Sequence, residues 1–138
     1  SAIDMAVWDI NAKAANLPLY KLLGGARDRV DCYVAGGYYA PGKGIKELQQ
    51  EMDEYLSWGI HAVKMKVGGI SMREDAARVK AVREVIGDDT VLMMDANCAY
   101  RFYEAIEFGK MVEEYRPYWF EEPVVEVPLI GTEPTGNV

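Results

Sequence analysis

His61-Ala62-Val63-Lys64-Met65-Lys66-Val67 is followed by a helical pattern from Ser71 to Gly87 and then by Val91-Leu92-Met93-Met94-Asp95, so residues 61–95 read strand, helix, strand. Ser71 with Glu74 forms a capping box, and Val79, Val82, Val85 and Ile86 share a helical face that stops at Gly87. A helix between two strands is a crossover, and a crossover of a dozen or more residues is what a parallel strand pair requires.

The same unit repeats on both sides. Upstream, Ile45, Leu48, Met52, Tyr55 and Leu56 share a helical face ending near Gly59, behind a short strand pattern at Val30-Asp31-Cys32-Tyr33-Val34 and a loop punctuated by Gly36-Gly37 and Pro41-Gly42. Downstream, Ala105, Ile106, Phe108, Met111, Val112 and Tyr115 form a third helical face, ended by Pro117 and followed by a strand from Tyr118 to Glu121. Strand starts at Val30, His61, Val91 and Tyr118 lie 31, 30 and 27 residues apart. The fold class is α/β with a parallel sheet, and at this point both a doubly wound sheet and a (β/α)8 barrel satisfy the rhythm. Residues 1–16 read as a separate helix with a weak Ser1/Asp4 capping box, Ile3, Val7 and Trp8 on one face, and an exit at Asn16. The apolar segment Val127 to Gly131 starts only 9 residues after Tyr118, too soon for a crossover, and a helix is expected to be missing between 123 and 127.

Composition narrows the partners. The 138 residues carry 15 Lys+Arg against 22 Asp+Glu, a net charge of −7, and half are apolar, which describes a globular unit with a core. The acidic balance opposes binding to nucleic acid or an anionic membrane, both of which need a cationic face. Small molecules become the default partners. Two cysteines, Cys32 and Cys98, are too few for a disulfide framework, so a cytoplasmic location is expected. The single histidine, His61, excludes a two-histidine mechanism from these residues and begins its strand at the end opposite Lys66, as a surface or helix-facing residue.

Chemistry collects at the strand ends. Val63, Met65 and Val67 point to one face of their strand, and Lys64 and Lys66 to the other. Inward-facing lysines are costly unless they meet carboxylates or serve a site. Asp95 ends the next strand, with Asn97 two residues on and facing the same way on an extended chain, and Glu121-Glu122 end the following one before Pro123. One acidic residue after a strand is commonly a helix cap. A series at the C-terminal ends of successive parallel strands is where α/β enzymes build their sites. Oxygen ligands spaced one per strand suit a hard cation, with Mg²⁺ the natural choice. A lysine beside a cation has its neutral form favoured and suits a general base, so the set fits removal of a proton α to a carboxylate, with the metal stabilising an enediolate. Cys98, without a paired base, reads as a bystander thiol.

These residues resemble a known family. Ser1 to Asp9 and Pro18 to Gly25 look like the linker between capping domain and barrel in the mandelate racemase and muconate lactonizing branch of the enolase superfamily. Val63-Lys64-Met65-Lys66, Met94-Asp95-Ala96-Asn97 and Trp119-Phe120-Glu121-Glu122-Pro123 are similar to that branch's Lys-x-Lys, Asp-x-Asn and Glu-Glu-Pro signatures. The resemblance implies part of a (β/α)8 TIM-type barrel, with residues 1–25 the tail of an N-terminal capping domain and linker, and 26–138 the N-terminal part of the barrel. It implies that Lys66 is the acid/base lysine, that Lys64 helps neutralise the substrate carboxylate, and that Asn97 lies near the substrate. Asp95 and Glu121 would ligate Mg²⁺, with Glu133 as third ligand, although Glu133 follows Glu121 by only 12 residues. The partner acid/base would lie on later strands, and such a protein, when complete, is expected to be a homo-oligomer. The loop Ala35 to Gly44 resembles that of tartrate dehydratase and related acid-sugar dehydratases, so the expected substrate is a small carboxylate of that kind. Racemisation, epimerisation and cycloisomerisation are the alternatives within the family, and a non-catalytic α/β module is the alternative outside it.

Overall fold

Residues 1–125 are described by the computed structural model of the chain, which divides into a unit Ser1–Cys32 and a unit beginning at Tyr33. The expected strand end at Val127 to Gly131, the gap after Pro123 and Glu133 all involve residues 126–138, outside the described residues. In the first unit, helix α1 spans Ala2–Ala14 and a short helix α2 spans Leu19–Leu22. Ser1 is the N-cap of α1, but its side chain makes no capping bond, so the expected Ser1/Asp4 box does not form. Asn16, left-handed at φ 54°, provides the expected exit.

The second unit alternates strand and helix throughout. Strand β1 (Val34–Gly36), α3 (Ile45–Ser57), β2 (Ala62–Lys66), α4 (Met72–Ile86), β3 (Val91–Asp95), α5 (Phe102–Val112) and β4 (Trp119–Glu121) follow in order. The four strands form one sheet in the order β1-β2-β3-β4, every pair parallel. β1 starts four residues later than the sequence suggests, because Val34 pairs with Val63 and β2 itself begins only at Ala62, leaving Val30 no strand to join. Ser71 caps α4 in the expected box, its hydroxyl accepting from the Glu74 N–H, and the helix stops at Gly87 with φ 70°.

One face of the sheet makes the core. Val63, Met65 and Val67 of the β2 segment pack with Leu48 and Met52 from α3, Val79, Val82 and Ile86 from α4, Leu92 and Met94 from β3, and Phe108 and Val112 from α5. Each fully buried aliphatic or aromatic side chain contributes roughly 1.5–3 kcal/mol, so this layer holds the helices to the sheet and leaves the opposite face free for polar residues. Ile106, expected on the buried face of α5, is instead 46% exposed, while Phe108 is fully buried. At the N-terminal edge of the sheet, Arg83 donates to the carbonyls of Gly87, Thr90, Tyr115 and Arg116 at 2.7–3.3 Å, tying two loops together. No helix among the described residues is long and apolar enough to cross a membrane.

Candidate active site

Period-two alternation sends Lys64 and Lys66 to the face away from the helices, as expected, and the parallel register then sets their neighbours. Lys66 pairs with Asp95, and Asp95 with Glu121, so the three stand in one row across the C-terminal ends of β2, β3 and β4. Lys64 starts one pleat deeper, but its long side chain rises to the same level.

The row is closed by charge. Lys66 Nζ donates to Asp95 Oδ2 at 2.7 Å and to Asn97 Oδ1 at 2.5 Å. Lys64 Nζ lies 2.8 Å from Glu121 Oε2 and 3.4 Å from Asp95 Oδ2, bridging the two carboxylates. Two ammonium groups thus face two carboxylates, which makes a half-buried polar cluster tolerable beside an apolar core. The hydrogen bond from Lys64 to Glu121 raises the Lys64 pKa above its ordinary value, against an opposing effect of burial. Burial alone would raise the Asp95 carboxyl, but Lys66, the Asn97 N–H and Lys64 outweigh it and hold the group below its usual range.

Asn97 reaches this cluster by a different route from the one its spacing suggests. The chain turns after Asp95 instead of continuing extended: Asn97 and Cys98 are left-handed at φ 46° and 62°, and the Asn97 N–H donates to Asp95 Oδ1 at 3.1 Å. Left-handed backbone costs a non-glycine residue roughly 1–2 kcal/mol, and here bonds to the neighbouring strand end hold it. Cys98 N–H donates to the Glu122 carbonyl at 2.7 Å and Tyr100 N–H to that of Pro123 at 3.1 Å, with Glu122 itself left-handed at φ 41°. Cys98 is half-buried and serves this turn through its backbone; His61 is exposed.

Aromatic and buried charged residues complete the site, and none of them was expected in it. The Lys64 ammonium lies 5.3 Å from the centre of the Tyr33 ring and the Lys66 ammonium 5.9 Å from that of Tyr38, within cation–π range. Tyr38, Tyr39, Lys66, Gly69 and Asn97 line a cleft of about 540 Å³. Behind it, Asp75 is fully buried, Arg78 is 9% exposed, and the two pair at 2.7 Å. One signal was available: Asp75 and Arg78 fall three residues apart on the stripe of α4 that Val79 and Val82 continue, where apolar residues belong.

Among the described residues no three His, Cys, Asp or Glu side chains gather as a metal cluster. Asp95 and Glu121 supply two carboxylates side by side, and Mg²⁺ is commonly held by one or two carboxylates together with waters and substrate oxygens. Lys64 already places a positive charge between the two, which shows that their oxygens converge on a cation. The residues fit the metal.

Comparison with known proteins gives two family matches: "Enolase C-terminal domain-like" over residues 47–129, and "Mandelate racemase / muconate lactonizing enzyme, N-terminal domain" over residues 1–24. An arabinonate dehydratase of Saccharolobus solfataricus is 41% identical over 96% of this chain and 39% of its own length. An L-talarate/galactarate dehydratase of Salmonella typhimurium is 40% identical over 95% of the chain and 33% of its own. The crystal structure of a mandelate racemase/muconate lactonizing enzyme from a marine actinobacterium in complex with magnesium superposes with a TM-score of 0.76, at 41% identity, over 90% of this chain and 34% of that one. The relatives also include a D-gluconate dehydratase, cycloisomerases and a dipeptide epimerase. The chain thus spans 28 to 39% of the length of these relatives.

Proposed function

The chain belongs to the enolase superfamily, in its mandelate racemase and muconate lactonizing enzyme branch, and from that premise we propose that it carries one half of an active site that removes the proton α to the carboxylate of an acid sugar. The observation that supports this most is the row Lys66, Asp95, Glu121 with Lys64 beneath it: a lysine at the rim of a cleft, beside two carboxylates that can share a cation.

Asp95 and Glu121 would hold Mg²⁺, with Glu133 as a further proposed ligand. When bound, the metal stabilises negative charge on the substrate carboxylate as the α-proton leaves. The other roles belong to side chains. Lys66, at the cleft rim, would act as the neutral amine, having given up one proton, and takes the α-proton on Nζ; Asn97, which accepts from the same Nζ, orients it. Lys64 supplies a positive charge toward the substrate carboxylate. Tyr38 and Tyr39 wall the cleft on the β1 side. The β-hydroxyl then leaves as water, its proton supplied by the partner general acid expected on later strands, and the enol that remains tautomerises to a 2-keto-3-deoxy acid. The names of the dehydratase relatives support this outcome over reprotonation, and the cycloisomerases and epimerase among them make isomerisation the second reading. Residues 1–25 are proposed as the tail of a capping domain and the rest as the start of the barrel, in a homo-oligomeric protein.

The test uses the full reading frame that encodes this chain. With Mg²⁺ in D₂O, proton NMR of arabinonate, gluconate and galactarate should show exchange or loss of the α-proton and a keto-acid product from at least one of them. Lys66→Ala should abolish it. No reaction with any of the three, or a reaction indifferent to Lys66→Ala, defeats the proposal.

A further inference from the structure

The buried pair Asp75 and Arg78 makes more bonds than stability asks of it. Replacing a buried ion pair by apolar residues is often neutral or stabilising, so its presence calls for an account of what it holds. Arg78 donates to the Lys66 carbonyl at 3.0 Å and to the Gly37 carbonyl at 2.5 Å. Asp75 accepts from the Gly68 N–H at 2.7 Å and from the Tyr39 hydroxyl at 2.6 Å. The Tyr39 oxygen in turn accepts from the Gly69 N–H at 3.1 Å.

These partners share one property. The β1–β2 ladder ends at Gly36 opposite Met65, so the backbone of Gly37 and of residues 66–69 lies past the last rung. Arg78 and Asp75 supply the missing partners from α4. Tyr39 is wedged into the same assembly: its ring lies 4.0 Å from the Arg78 guanidinium, and a Cβ on Gly69 would come within 2.5 Å of it. Burial and the bond to Asp75 push its phenol up to about 12, so it stays a neutral donor across the ordinary pH range. The backbone from which Lys66 projects and the loop bearing Tyr38 and Tyr39 are therefore fastened to a single anchor.

We propose that Arg78, Asp75 and Tyr39 are positioning residues that set the Lys66 Nζ against the cleft wall, so that the base and the surface receiving the substrate keep one fixed spacing. None of the three is assigned contact with a reacting atom. The inference rests on the reading of Lys66 as the base. A displacement near 1 Å can reduce a positioned reaction about 100-fold, and four rotatable bonds in the lysine amplify any freedom of its backbone.

Two substitutions in the full-length Mg²⁺ protein test this, on whichever of the three acid sugars it converts. Tyr39→Phe keeps the ring and removes both hydrogen bonds; Arg78→Lys keeps the charge but not the fork that spans two carbonyls. Tyr39→Phe is expected to lower kcat about tenfold and Arg78→Lys further, with KM changed less than threefold and calorimetric Mg²⁺ affinity within twofold. The fraction of protein able to bind Mg²⁺, measured by the same titration, separates misplacement from misfolding. A kcat within twofold of the parent in both variants, or a loss that merely follows the Mg²⁺-competent fraction, overturns the proposal. Lys66→Ala is run alongside: if it abolishes turnover while the other two do not reduce it, positioning alone falls. If Lys66→Ala leaves turnover intact, or the parent converts none of the sugars, the reading of Lys66 falls and takes this inference with it.

Discussion

Lys64 occupies the place where a hard cation would be shared, and replacing it by methionine should tighten Mg²⁺ binding while weakening use of substrate. The Lys64 ammonium is held by Glu121 Oε2 at 2.8 Å and Asp95 Oδ2 at 3.4 Å, and a metal using those oxygens must first displace it. Two unit charges at 4 Å interact by about 1 kcal/mol in water and about 4 kcal/mol at an effective dielectric of 20. Because the lysine can swing away, we take the lower figure as a floor; doubled for a divalent ion it gives about 2 kcal/mol, or roughly 30-fold in affinity. Methionine matches the apolar stem of the lysine. Lys66 stays on Asp95, and the Glu121 side chain, 36% exposed, can turn to water. Titration calorimetry of the metal-free, full-length protein at 0.1 M salt, without substrate, reads the metal term directly. Turnover of an acid sugar by the same variant should show a raised KM, because the cation proposed to face the substrate carboxylate is gone. Unchanged or weaker Mg²⁺ binding would refute the claim that Lys64 competes for the metal carboxylates.

Two further outcomes follow from the geometry. Gly68 and Gly59 both have positive φ, at 89° and 78°, but a Cβ on Gly68 would sit 2.5 Å from that of Ala99 while Gly59 faces open space. Gly59→Ala should cost only the backbone penalty of about 1–2 kcal/mol, and Gly68→Ala that plus about 1–3 kcal/mol of overpacking; equal costs in urea unfolding would contradict the packing. The depressed Asp95 carboxyl stabilises the fold above its ordinary value of 3.8 and loses that contribution as pH falls through its lower folded value. The difference in melting temperature between the parent and Asp95→Asn should therefore be flat from pH 5 to 7 and shrink in the acid range below 3.8, and a pH-independent difference would rule the linkage out.

Alternation made much of this legible in the sequence. A strand written Val-Lys-Met-Lys can bury only one of its two faces, so placing Val63 and Met65 in the core placed both lysines opposite, and the equal spacing of strands put Asp95 and Glu121 at the same end. Local period says less about where a ladder begins, since that depends on the neighbouring strand: β1 waited for Ala62. It says less again about turns. Alternation extends the strand through Asn97, which is in fact left-handed: asparagine enters that region more readily than most residues, and bonds from Cys98 and Tyr100 to the β4 end hold the turn. Asp75, Arg78 and Tyr39 were the least visible, as their partners are backbone groups 7 to 41 residues away that no motif names. The charge of Asp75 and Arg78 on an apolar stripe was the only trace, and Tyr39 left none.

The Arg83 clamp at the other end of the sheet has a consequence for how such a protein can change. By binding four carbonyls from two loops, it fixes the N-terminal edge between α4 and β3 and between α5 and β4, whereas at the other edge the Asp75, Arg78 and Tyr39 anchor fastens only the segments after β1 and β2. One edge is a foundation and the other a frontier. Substitutions of Asn97 or Ala99 in the segment after β3 can change what the cleft presents without loosening that foundation.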